Sequence, residues 1–333
     1  MSNPLLPPWV AQQRDSLLAQ RGHAWLLQGP SGLGQYTLAM ELVRAWLCDT
    51  PTAQGACGQC ASCHAIEVHA HADLCLLMPE AMMVELGWPL GEKAQSDIDD
   101  KKRKASKEIR VEAMRDAVEF AQRTSGRGRG KAVLVYPAER MNVITANALL
   151  KTLEEPPGDV KFVLATGAAH QLLPTIRSRC MGHNMVWPEK DVSTAWLQAQ
   201  GVPAADATVL LAAAGSRPEN ALQWARAGRT AQSWSAIPRA VGQGALTVFA
   251  DWAPAQVVDA LQKLCHDLLL ARMGAAPRFF AASDLPAAPA VAALTQWSKD
   301  LSATARVVEH PFNAGLLLES LVGRAQNVLN SRP

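Results

Sequence analysis

A doubly wound parallel α/β sheet followed by a helical region is the fold class that this sequence predicts, on three observations. Short apolar runs alternate with helically spaced segments up to about residue 187. A glycine-rich loop joins the first apolar run to the first helix. Beyond Trp187-Pro188 the strand signals fade into segments rich in Ala, Leu and Gln. Strands alternating with helices need crossover connections and so build a parallel sheet, whereas the later stretch reads as all-helical.

Each element follows in order. Ala24–Gln28 is an apolar run, Gly29–Gly34 a glycine loop, and Tyr36–Leu47 has helical spacing. A second run covers Leu74–Met78. Residues 80–107 carry Gly, Pro and mixed charge ending in Lys101, Lys102, Arg103 and Lys104, and read as a loop or partly disordered insertion. Val111, Met114, Val118 and Ala121 recur at helical spacing, and Ala132–Tyr136 is the next strand. Asn142–Leu153 reads as a helix stopped by Pro156 and Pro157, and Phe162–Thr166 as a further strand. In the helical remainder, breaks fall near Gly201-Val202-Pro203, Gly215-Ser216-Arg217-Pro218 and Ala227-Gly228. They predict a first domain over 1–187, a small helical domain over 188–228 and a larger one over 229–333.

Composition narrows the classes. Of 333 residues, 49% are hydrophobic, enough for more than one core, and the net charge is only +2. No global field therefore favours nucleic acid or membrane, and DNA contact would need a local patch. No long apolar run spans a membrane and Met1–Val10 lacks a signal-peptide pattern, so the expectation is a cytoplasmic protein.

Gly29-Pro30-Ser31-Gly32-Leu33-Gly34-Gln35-Tyr36 aligns with the P-loop pattern of glycines followed by Lys and Ser/Thr. Gly29, Gly32 and Gly34 keep the scaffold, in which backbone N–H groups converge on phosphate at a helix N-terminus. The chemistry is missing: Gln35 stands where a lysine neutralises phosphate, and Tyr36 where a hydroxyl holds magnesium. After Val133-Leu134-Val135, the Asp and Glu of an ATPase are replaced by Tyr136-Pro137-Ala138-Glu139. The expectation is that this chain hydrolyses no ATP.

Seven cysteines occur, an odd number with a tight cluster, which argues against a disulfide framework. Cys57, Cys60 and Cys63 at CxxCxxC spacing, with Cys48 upstream, offer the four thiolates of a closed structural zinc site within a module over about 48–72. An iron–sulfur cluster is the alternative. His64, His69 and His71 read as exposed polar residues, and Cys75, Cys180 and Cys265 as packing residues. Arg123, Arg127, Arg129 and Lys131, interleaved with glycines, form a basic loop that is a candidate phosphate contact for DNA.

Three further stretches carry a resemblance. Asn147-Ala148-Leu149-Leu150-Lys151-Thr152-Leu153-Glu154-Glu155-Pro156-Pro157 resembles the helix after the Walker B strand in AAA+ clamp-loader proteins. Ser178-Arg179-Cys180 resembles that family's arginine-finger motif, and His23-Ala24-Trp25-Leu26-Leu27 its first strand. With the cysteine module they cover most of residues 1–190. The resemblance implies an AAA+ P-loop domain with an inserted zinc module, a helical lid domain over 188–228 and a collar domain over 229–333. It implies a hetero-pentameric ring with tau/gamma and delta subunits, within the DNA polymerase III assembly, a DNA-directed DNA polymerase. That ring places a sliding clamp on primer-template DNA. Loss of the P-loop lysine marks a non-hydrolysing stator, with Arg179 reaching a neighbour's ATP and Ser178 and Cys180 supporting it. A self-sufficient ATPase with an atypical P-loop and a zinc-dependent DNA-binding module remain as alternatives.

Overall fold

In a computed structural model, residues 6–308, 310 and 313–331 are described. The chain divides between Pro188 and Glu189 into two compact units. The first begins with α1 (Pro8–Leu18), β1 (Ala24–Gln28), α2 (Gln35–Leu47), α3 (Ala61–Glu67) and β2 (Leu74–Leu77). It continues through α4 (Glu80–Glu85), α5 (Glu92–Asp99), α6 (Val111–Gln122), β3 (Lys131–Val135) and α7 (Val143–Glu154). It ends with β4 (Val160–Thr166), α8 (Pro174–Arg177) and β5 (Met181–Asn184).

The sheet has the order β2-β3-β4-β1-β5. Every pairing is parallel, with Leu26 opposite Leu164 and Val133 opposite Phe162. Helices cover both faces of such a sheet, which is why β1, β3 and β4 are nearly continuous buried apolar runs. The short strand β5 has no counterpart among the expected strands, because this edge strand pairs only with β1 and is mostly exposed, so it carries no apolar signal. Asn142 caps α7 by accepting the Thr145 amide at 2.9 Å, which sets where that helix starts.

Residues 80–107 depart from the expected loop: they fold into α4 and α5. The carboxylate of Glu80, only 8% exposed, holds the segment together. It accepts from Arg103 Nη2 at 2.8 Å and from the Ser106 amide at 2.8 Å, and pairs with Arg110 Nε at 3.1 Å. Two of the four residues of the basic run are paired locally, Lys102 with Asp100 and Arg103 with Asp97. Burial opposes the charge on Glu80, but these donors hold its carboxyl below the usual range. A depressed carboxyl stabilises the fold above its ordinary pKa and loses that contribution as the pH falls. Glu80→Ala is expected to loosen the segment, and limited proteolysis within 80–107 should quicken roughly tenfold if cleavage follows local opening.

The second unit is helical: α9 (Lys190–Ala199), α10 (Ala204–Ala213), α11 (Pro218–Arg226), α12 (Ala231–Ser235), α13 (Ile237–Gly242), α14 (Pro254–Arg272), α15 (Val291–Val307) and α16 (Ala314–Leu329). Its core gathers Trp234, Phe249, Leu261, Leu268, Trp297 and Val322. Tryptophans on these helices are packing residues, as their placement in apolar helical stretches predicts.

Candidate functional site

The glycine loop leaves β1 and enters α2 with Gly32 and Gly34 at φ of 89° and 97°, a conformation that side chains resist. Gln35 is 3% exposed and turns its amide back into the loop. Its Nε2 donates to the carbonyl oxygens of Gly29 and Pro30, both at 2.7 Å. The side chain at the lysine position thus spends its donors on the loop itself. Tyr36 is engaged to the same degree: its hydroxyl accepts from Trp88 Nε1 at 2.8 Å, and its ring lies 5.2 Å from that of Tyr136. Burial raises the Tyr36 phenol further above its ordinary value. Trp88 comes from the 80–107 segment and stacks on His69 at 3.7 Å. The segment therefore reaches over to the residue at the magnesium-ligand position.

Glu139, the one acid near the Walker B position, is also engaged. Its two oxygens accept from Thr166 Oγ1 at 2.7 Å and from the Gly167 amide at 3.0 Å, tying it to the end of β4.

The second cluster lies at the other edge of the sheet. Ser178, Arg179 and Cys180 form the turn between α8 and the N-terminal end of β5. His23, just before β1, contacts the Leu153 carbonyl through Nε2 at 2.9 Å. Arg179 pairs with Glu154, the last residue of α7, through Nε and Nη2, and its Nη1 donates to the Thr175 carbonyl at 2.8 Å. Ser178 is exposed and its hydroxyl donates to Thr175 at 3.2 Å, whereas Cys180 is half-buried, its thiol pushed up to about 12 by burial. An open cavity of about 450 Å³ is lined by His23, Leu153, Glu154, Ser178 and Arg179. In a parallel sheet, all strand starts lie along one edge. The five residues of β1 put about 16 Å between this cluster and the glycine loop. Arg179 cannot serve its own chain's loop.

The four cysteines converge. Cys48 ends α2, Cys60 caps α3, and the sulfurs of Cys48, Cys57, Cys60 and Cys63 all lie within 4.8 Å of one another. Individual separations are 3.8 Å for Cys48–Cys60, 3.7 Å for Cys48–Cys63 and 4.0 Å for Cys57–Cys63. Thiolates about 2.3 Å from one tetrahedral ion sit roughly 3.8 Å apart, so the donor set fits a single metal ion. Hydrogen bonding with Thr50 pulls the Cys57 thiol down to about 6, while burial pushes Cys63 up to about 12. A central cation is what makes four thiolates tolerable at such spacing. Asp49, next to Cys48, accepts from Ser62 Oγ at 2.7 Å and from its amide at 3.2 Å, fixing α3 against the end of α2.

The basic loop is not the free patch that the sequence suggested. Lys131 opens β3 and is 5% exposed, because its Nζ donates to the Phe120 carbonyl at 2.6 Å and sits over the Phe120 ring. Arg127 pairs with Asp49 at 3.3 Å, and Asp73 accepts the Gly126 and Arg127 amides at 2.8 and 2.9 Å. Arg123, paired with Glu119, Arg127, paired with Asp49, and Arg129 remain exposed on it. His71 also departs from expectation, being buried with its Nδ1 on the Asp73 amide. Sequence reasoning missed Trp88, Asp49 and Glu154 as working residues. Of these, Glu154 alone had a signal, inside the motif that carried the resemblance.

A family model described as DNA polymerase III, delta subunit, matches residues 12–186, more than half of the chain. The chain is 39% identical over 203 residues to DNA polymerase III subunit delta-prime of Pseudomonas aeruginosa, covering 60% of this chain and 55% of that protein. It is 34% identical over 211 residues to the Escherichia coli K12 subunit of the same name, covering 62% and 56%. The chain thus spans about half the length of the curated relatives it matches. A solved structure of a DNA polymerase III gamma subunit-related protein from Thermotoga maritima superposes with a TM-score of 0.53 at 17% identity, covering 97% of this chain and 100% of that one, a likeness of fold. Among the described residues, no helix is long and apolar enough to cross a membrane. With a parallel sheet, a glycine loop braced by Gln35, a Ser-Arg-Cys turn at the opposite edge and a family model matching more than half of its length, the chain belongs to the DNA polymerase III delta subunit family.

Proposed function

We propose that this chain is a non-hydrolysing subunit of the DNA polymerase III clamp loader, and that Arg179 completes the ATP site of a neighbouring tau/gamma subunit. The observation that carries this reading is the separation of Arg179 from its own glycine loop by the length of the sheet. From that edge, the only ATP an arginine could reach is another chain's. Its planar, permanently charged fork suits charge developing on a transferring phosphoryl group. Gln35, Tyr36 and Glu139 are all engaged within the fold, which supports a loop with no ATP chemistry and speaks against a self-sufficient ATPase. The cysteine cluster would hold zinc, keeping α2 and α3 in register and supplying no chemistry of its own. Residues 188–228 would act as a lid and 229–333 as a collar joining tau/gamma and delta in a hetero-pentamer, which loads the sliding clamp onto primer-template DNA.

The test is reconstitution. The chain should co-purify with tau/gamma and delta, and the assembly should load clamps on primed DNA. A fluorescent ATP analogue titrated into the isolated chain should give no saturable signal and no turnover. Turnover by the isolated chain would overturn the reading in favour of an ATPase. Stable DNA binding without association with tau/gamma would instead favour a zinc-dependent DNA-binding module.

A further inference from the structure

We propose that Glu154 is the positioning residue for Arg179, an inference that rests on the trans role proposed for that arginine. Of the five N–H groups of a guanidinium, Glu154 engages Nε and one on Nη2, and the Thr175 carbonyl takes one on Nη1. The other Nη1 hydrogen has only Ser178 Oγ, at a long 3.4 Å. The inner edge of the fork is thus occupied from within the chain. One Nη2 hydrogen is left over, and Arg179 lines the open cavity together with Glu154 and Ser178. A carboxylate on one edge with the other edge left for an incoming phosphate is how a flexible side chain is given one direction.

Glu154 is itself held firmly. It ends α7 immediately after Leu153, which is 1% exposed and whose carbonyl is engaged by His23. Pro156 and Pro157 prevent the helix from running on. The helix bearing Glu154 and the turn bearing Arg179 are therefore fixed to neighbouring strand starts, and the ion pair joins them. Arg179 is the group that would touch ATP; Glu154 acts through it.

A double-mutant cycle in the reconstituted assembly tests this, read as kcat and KM for ATP hydrolysis with clamp and primed DNA present. Glu154→Ala is expected to lower kcat roughly ten- to a hundredfold with KM for ATP within twofold. Glu154→Gln, which keeps an acceptor oxygen without the charge, should fall between it and wild type. On an Arg179→Ala background, Glu154→Ala should change nothing further. Co-purification of each variant with the other subunits at wild-type yield controls for folding, with the isosteric Glu154→Gln standing in if Glu154→Ala fails it. A Glu154 variant as fast as or faster than wild type, or losses that multiply in the double variant, would overturn the inference while leaving Arg179 in place. If Arg179→Ala itself leaves ATP hydrolysis unchanged, the trans reading fails first.

Discussion

Replacing Arg179 with alanine is expected to slow ATP hydrolysis at the interface it is proposed to complete by about a thousandfold, the lower end of what a trans arginine supplies to phosphoryl transfer. Clamp loading should fall with it. The isolated chain should barely notice. Arg179 and Glu154 keep 30% and 45% of their side-chain surface, and ion pairs this exposed contribute about 1 kcal/mol or less. Melting temperature and co-purification should therefore match wild type. Arg179→Lys is expected to recover little, since a point charge on a flexible stem cannot hold Glu154 on one edge and phosphate on the other. Arg177, exposed on α8, is the nearby control. Its alanine variant should stay within about twofold of wild type, and a reversal of the two results would move the finger to Arg177.

Cys48→Ser is expected to cost metal and stability together. Purified protein should carry about one zinc per chain by mass spectrometry and the variant far less than that. Cys48 is fully buried at the end of α2, so the variant leaves three clustered thiols and a hydroxyl around a site that binds poorly. Binding energy in such a site is folding energy. A loss of about 3 kcal/mol would lower the melting temperature by roughly 6–12 °C in a unit of this size. Acid should also release the metal as thiolates take up protons, and Asp49 follows with the same sign but at lower pH. Hydrogen bonds from Ser62 hold its carboxyl down to about 2. Its anchoring of α3 is thus complete above the ordinary carboxylate range and lost only as the pH falls towards that value. Metal loss at mildly acid pH with α3 still anchored is the expected order.

The sheet was legible because buried parallel strands announce themselves as apolar runs, and β1, β3 and β4 are buried on both faces. The strand β5 was not, since Met181, Gly182 and Asn184 face solvent and their pairing with β1 depends on tertiary context. The four-cysteine cluster and the turn around Arg179 could be read from local spacing. What could not be read is where spent side chains find their partners. Trp88 lies 52 residues from Tyr36, Arg179 25 residues from Glu154, and Arg127 78 from Asp49. Charge runs mislead for the same reason. Lys131 and Arg103 look like free cations in sequence, but each has a buried or acidic partner supplied by the fold.

A glycine loop braced by the amide of Gln35 bears on how stability would depend on nucleotide supply. A protein that binds ATP in its folded state alone gains about 4 kcal/mol when the nucleotide stands a thousandfold above its dissociation constant, and forfeits that gain as the pool drains. Gln35 fills the Gly29 and Pro30 carbonyls from within, whatever the concentration outside. If the loop holds no nucleotide, as proposed, it draws no support from the nucleotide pool. In the proposed assembly, ATP-binding partners would grow less stable in a starving cell while this chain kept its usual strength.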